Sequence, residues 1–263
     1  MDANVLIRGI CYDAKSSFLR GPARGPAGIR AALHSGSMNG FPEDLTDLGD
    51  LVARDAGDFQ VEEYLQIEAL TLQHLQEGQK LFTLGGDHSI TYPIVKALGS
   101  KYPRLDILHI DAHPDLYDQY EGDPYSHACP FARIMEEGLA DRLVQVGIRT
   151  LNPHQRDQAL KFGVESYPMH ALDQLGPLTF SNPVYISLDM DALDPAFAPG
   201  VSHREPGGMT TRQVISLLQG LRGEVVGADL VEYNPLQDLG DTTAFVGAKL
   251  MKELLGAMAR RNG

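Results

Sequence analysis

Short apolar runs alternate along the chain with stretches whose apolar residues recur every three or four positions. The runs lie at 5–10, 80–84, 106–110, 142–146, 184–188 and 224–228, with a weaker one at 164–167. Such brief continuous runs read as buried strands. The helix-period stretches are 59–78, 91–100, 130–139, 153–162, 210–222 and 242–261. Gly, Pro and Ser cluster at 16–28 and 35–42, and both clusters read as loop. Strands alternating with helices predict an α/β fold, with a mostly parallel sheet covered on both faces. No linker or repeat interrupts the pattern, so one domain over 1–263 is the expected organisation.

The balance of charge narrows the partners. With 35 acidic against 22 basic residues the net charge is −13. A nucleic acid or an anionic membrane would want a basic surface, so neither is expected. A cationic ligand or bound metal ions suit the charge better, although any acidic soluble protein shares it. Two cysteines, Cys11 and Cys129, are too few for a secreted disulfide scaffold and read as free thiols. The first ten residues resemble neither a signal nor a transit peptide, and no run approaches the roughly 18 apolar residues of a membrane span. A cytoplasmic location is expected.

Candidate chemistry follows the predicted strands. Gly85-Gly86-Asp87-His88-Ser89 follows 80–84, and Asp111-Ala112-His113-Pro114-Asp115 follows 106–110. Asp189-Met190-Asp191 follows 184–188, and Asp229-Leu230-Val231-Glu232 follows 224–228. Open parallel sheets bind ligands at the carboxyl ends of their strands, so these four segments converge on one crevice. In extended backbone, residues two apart point to one side, which groups Asp111 with His113 and Asp115, and Asp189 with Asp191. Each segment alone reads as a cap or a turn. Together they would bury several carboxylates side by side, which is costly without cations. Oxygen and imidazole ligands without thiolate suit a hard or borderline ion such as manganese. More than four ligands point to two ions, an arrangement suited to attack of water on an unreactive carbon.

At these residues the sequence resembles the ureohydrolase family of arginases and agmatinases. The three motifs that carry it are Gly85–Ser89, Asp111–Asp115 and 187–195, the last continuing to Ala198-Pro199-Gly200. It is most similar to the plant-type arginases, through Ser16-Ser17-Phe18-Leu19, Tyr125-Ser126-His127-Ala128, 131–136, 200–203 and the Asp229 to Glu232 region. The resemblance implies a three-layer α/β/α sandwich and hydrolysis of L-arginine to urea and L-ornithine, with two Mn2+ ions. It implies that one ion is held by His88, Asp111, Asp115 and Asp189, and the other by His113, Asp111, Asp189 and Asp191. Asp115 is expected also to accept a hydrogen bond from the attacking hydroxide. His127 matches the family's acid/base histidine, and Glu232 the glutamate that holds the guanidinium. A homo-oligomer, trimer or hexamer, is implied as well. The chain starts without the N-terminal extension of the plant enzymes, so a bacterial cytoplasmic relative is expected.

The substrate tail is less legible. Animal-type arginases grip the α-amino acid through a loop whose counterpart here is Glu121-Gly122-Asp123-Pro124-Tyr125-Ser126-His127, a different sequence. Glu121 and Asp123 would favour a purely cationic tail such as agmatine's, whereas the plant-type likeness of the loop favours arginine. Another guanidino- or formimino-compound hydrolase, or a non-enzymatic metal- or guanidine-binding homologue, are the other readings. The last would be expected to have lost ligands or His127, and all are present. His109 lies inside a strand and reads as packed, and His203 is a weaker candidate to line the cleft.

Overall fold

The computed structural model describes residues 4–46, 48, 53–75 and 79–260. Eight strands form one sheet in the order β2-β1-β3-β8-β7-β4-β5-β6, and every pair is parallel. They are β1 (Val5–Cys11), β2 (Ala53–Gln60), β3 (Lys80–Leu84), β4 (Asp106–Ile110), β5 (Arg142–Val146), β6 (Glu165–Tyr167), β7 (Val184–Asp189) and β8 (Val225–Val231). The helices are α1 (Gly25–Leu33), α2 (Gln66–His74), α3 (Thr91–Gly99), α4 (Pro130–Glu136), α5 (Pro153–Phe162), α6 (Thr211–Gly220) and α7 (Thr242–Ala259). The last strand of the chain, β8, therefore sits in the middle of the sheet, between β3 and β7.

Alternation within each strand makes the layers. Val5, Ile7, Leu108, Ile110, Ile186 and Leu230 join one core, which packs against α1, α6 and α7. Leu6, Leu81, Ile107, Leu143 and Tyr185 join the other, beneath α2, α3 and α4. This is the three-layer α/β/α arrangement expected.

The sequence reading departs from the fold in four places. The helix expected over 59–78 is a strand, β2, followed by the shorter α2, and 76–78 lie outside the described residues. Sequence pattern misses β2 because it is an edge strand with a polar, largely exposed sequence, Ala-Arg-Asp-Ala-Gly-Asp-Phe-Gln. Its support comes from elsewhere: backbone pairing to β1, and Arg30 of α1, whose Nε and Nη2 each reach Asp55 at 2.8 Å. The loop expected over 16–28 turns into α1 at Gly25, where Pro26 suits the first turn of a helix. The run expected at 224–228 extends to Val231, so Asp229 lies within the strand. The long helix expected over 242–261 ends at Ala259, and 261–263 lie outside the described residues.

Candidate metal centre

The four segments singled out above lie at the carboxyl ends of β3, β4, β7 and β8, the last of them largely within β8, and these strands are contiguous in the sheet. Their ends meet at one cleft of about 200 Å³, lined by His113, Asp115, His127, Asp189, Asp191 and Glu232 among others. Two groups of metal-ligating atoms lie within reach of a common point. One contains His88, His109, Asp111 and Asp115; the other contains Asp111, His113 and Asp191. Asp111 belongs to both. Asp189 meets the first group through His88, and its Oδ1 accepts the Asp191 backbone N–H at 2.7 Å.

The orientation of His88 shows what the cluster fits. Its Nδ1 faces Asp189 Oδ2 at 3.0 Å, Asp111 Oδ2 at 3.1 Å and Asp115 Oδ2 at 3.3 Å. Its Nε2 lies 2.8 Å from Ser187 Oγ, and that hydroxyl donates to Asp229 Oδ1 at 2.7 Å. Asp229 also accepts from the hydroxyls of Thr91 and Tyr185. Ser187 therefore receives the His88 Nε2–H, which leaves the Nδ1 lone pair aimed at three carboxylate oxygens. A positive charge belongs between them. In the chain by itself a proton takes that place: burial opposes it, but Asp111, Asp115 and Asp189 raise the imidazole pKa well above its usual value. His113 is raised in the same way, chiefly by Asp191 and Asp111 against its burial. Burial, Asp191 and Asp111 push Asp189 well above the ordinary carboxylate range. All-oxygen-and-imidazole donors in this number fit hard or borderline divalent ions.

Glu232 and His127 form a second unit in the same cleft. Glu232 Oε1 accepts the His88 backbone N–H at 2.8 Å and lies 2.9 Å from His127 Nδ1. Burial opposes ionisation of Glu232, yet His127 holds its pKa below the usual value. On the other side of the imidazole, the Ser17 backbone N–H donates to Nε2 at 3.2 Å, with Ser17 Oγ 2.9 Å away. Burial lowers the His127 pKa, but the carboxylates of Glu232, Asp87 and Asp115 outweigh it and bring it to about 9. Two of these residues hold left-handed backbone: Glu232 at φ 63° and Asp115 at φ 50°. Side chains with a β-carbon rarely adopt that conformation, and it concentrates at functional sites.

Asp87 ties the motif to the loop after β1. Its carboxylate accepts from the backbone N–H groups of Lys15 and Ser89 and from the Ser89 hydroxyl. Burial and the nearby Glu232 raise it to about 6. Gly86 permits this approach, since a β-carbon there would lie 1.8 Å from the Tyr12 carbonyl oxygen. Lys15 Nζ in turn reaches Asp123 at 2.6 Å. Asp123 is thus committed to an ion pair, and neither it nor Glu121 lines the cleft. The suggestion that these two meet a cationic tail is corrected accordingly. His203 does line the cleft, 5.2 Å from the His127 ring and 5.8 Å from that of His113.

Sequence reasoning missed Ser17, Tyr117, Tyr120 and Gln155 in the lining, and gave Ser187 and His109 no place at the site. For the last two a signal existed. Each sits two residues before a predicted ligand, on the same side of its strand.

The fold recurs in known proteins. The profile of the Arginase family matches residues 3–256. The chain is 45% identical to "Arginase 1, mitochondrial" of Arabidopsis thaliana, over 98% of this chain and 82% of that protein. It is 39% identical to an N(1)-aminopropylagmatine ureohydrolase of Thermus thermophilus, over 89% of this chain and 84% of that one. Among solved structures, an arginase from Medicago truncatula superposes with a TM-score of 0.90 at 41% identity, covering 97% of this chain and 87% of that one. A full-length match of this kind, on a sheet whose adjoining strand ends gather these carboxylates and imidazoles, places the chain in the arginase family.

Proposed function

We propose that the protein is a manganese-dependent ureohydrolase that cleaves the guanidinium group of L-arginine to urea and L-ornithine. The observation that carries the reading is the Glu232–His127 pair, 2.9 Å apart, in one cleft with the two ligand groups. Extensive identity to plant arginases supports arginine as the substrate.

His88, Asp111, Asp115 and Asp189 would hold one ion, and His113, Asp111, Asp189 and Asp191 the other. When bound, the two ions supply the positive charge that lets water attack carbon at neutral pH. Glu232 accepts hydrogen bonds from the planar guanidinium, whose fork of donors matches a carboxylate, and so fixes the carbon in the cleft. Asp115 accepts the proton of the attacking water as a hydrogen bond. His127 carries the proton that passes to the departing amine nitrogen. The carboxylate of Glu232 raises the affinity of that imidazole for the proton.

A second reading has its own observation. No lysine or arginine is among the described residues lining the cleft, so no ammonium or guanidinium group there meets an α-carboxylate. That favours a substrate with a wholly cationic or neutral tail, such as agmatine or an aminopropylagmatine. The test is urea release by the manganese-loaded protein on L-arginine, agmatine and N1-aminopropylagmatine across concentrations. A higher kcat/KM for L-arginine is expected. A preference for either amine would move the protein to the second reading, and no urea from any would end both.

A cytoplasmic trimer or hexamer is the accompanying proposal, with the oligomer carried over from the family resemblance. Light scattering reads the assembly directly.

A further inference from the structure

Beneath the ligands, one row of polar residues crosses six strands in register. Arg8 of β1 pairs with Thr83 of β3, Thr83 with Asp229 of β8, and Asp229 with Ser187 of β7. The row continues through Ser187 to His109 of β4 and Gln145 of β5. All six are buried. Polar groups in such a place need partners, and their partners lead to the ligands.

His109 is the member with the most direct reach. Gln145 Nε2 donates to the Pro114 carbonyl at 2.7 Å, and a carbonyl only accepts, so this atom is the amide nitrogen. The same nitrogen lies 3.0 Å from His109 Nδ1 and gives it the second amide proton. Nδ1 is therefore an acceptor, and the ring proton sits on Nε2. Nε2 lies 2.7 Å from Asp111 Oδ2. Phe131 stacks on the imidazole at 3.8 Å and fixes its plane. Both ring nitrogens are committed, so His109 has no lone pair to offer an ion, although it lies within the first ligand group.

We infer that His109 is a positioning residue, not a ligand: held by Gln145, it donates its Nε2–H to Asp111, the carboxylate shared by both ligand groups, and so aims that carboxylate at both ions. The inference rests on the reading of the cluster as a binuclear metal centre. Partners of this kind outside the ligand set orient the ligands and tune their basicity. Asp111 is clamped on both oxygens, because its Oδ1 accepts the His113 backbone N–H at 2.6 Å. Loss of the His109 donor frees one side of the clamp.

The test separates the donor from the packing. His109→Phe keeps a ring against Phe131 and removes the N–H; His109→Gln presents an N–H at the position of Nε2. Manganese affinity is measured by titration calorimetry, and the coupled-pair signal by electron paramagnetic resonance, with kcat and KM alongside. His109→Phe is expected to weaken manganese binding about 10–100-fold. The coupled signal falls and kcat drops, with KM little changed. His109→Gln is expected to restore most of the affinity. Gln145→Leu leaves the ring in place but unanchored, and is expected to fall between the two, which keeps the inference testable if His109→Phe does not fold. Unchanged affinity in both His109→Phe and Gln145→Leu would overturn it, as would equal losses in the Phe and Gln variants. A wild-type protein that binds no manganese would instead overturn the metal-centre reading itself.

Discussion

At the scale of single residues, the cleft separates groups that would hold ions from groups that meet substrate. Asp189→Ala leaves His88 Nδ1 without one of its three carboxylates and removes the acceptor of the Asp191 N–H. Manganese content and urea release should fall together, as read by metal analysis of the dialysed protein. Retention of two ions and of activity would sink the proposed scheme. Glu232→Gln is a different kind of change. It touches no ligand side chain, so manganese content should stay while kcat/KM falls about 10²–10³-fold. Most of these residues were legible in sequence, because the Asp111–Asp115 and Asp189–Asp191 segments repeat acidic or imidazole side chains with the period of a strand. Ser17 was not legible as a partner of His127. The contact crosses 110 residues, and half of it is a backbone N–H that any residue type would provide.

At the scale of elements, the loops after the strands are held by caps and close approaches. Asp238 accepts the backbone N–H groups of Thr243 and Ala244 at the start of α7, and the hydroxyl of Tyr233. Burial raises its pKa, but these donors outweigh it and hold the group below its usual value. A depressed carboxylate stabilises the fold above its unfolded pKa, and the contribution is lost as pH falls through the folded one. Asp238→Ala should cost about 1–2 kcal/mol at neutral pH. The difference in Tm from wild type should shrink only below about pH 4. Gly86→Ala drives a β-carbon into the Tyr12 carbonyl, and should cost about 1–3 kcal/mol while loosening the loop that carries Lys15 to Ser17. Thermal melts and metal content would read the two effects separately. Interior strands such as β4 and β7 were legible because they are buried from end to end. The edge strand β2 was not, because partners distant in sequence, β1 and Arg30, hold it in place of any apolar pattern of its own.

At the scale of the whole molecule, bound ions should act on folding as well as on catalysis. An ion at about a hundredfold excess over its dissociation constant adds about 2.7 kcal/mol to stability. Chelation should therefore lower Tm and added manganese restore it, with a magnesium control for simple ionic strength; a Tm indifferent to manganese would contradict a buried metal centre. The class of fold was legible from the alternation of strands and helices, but the strand order was not, since it depends on which crossovers pack. That order bears on how the protein is made. The six proposed ligands have all left the ribosome once Asp191 has emerged, yet β8 has still to come. Until it does, β2-β1-β3 with His88 and β7-β4-β5-β6 with the four aspartates and His113 have no strand to join them. The newest part of the chain is the keystone, so a nascent or prematurely stopped polypeptide carries every proposed ligand and still has no metal centre.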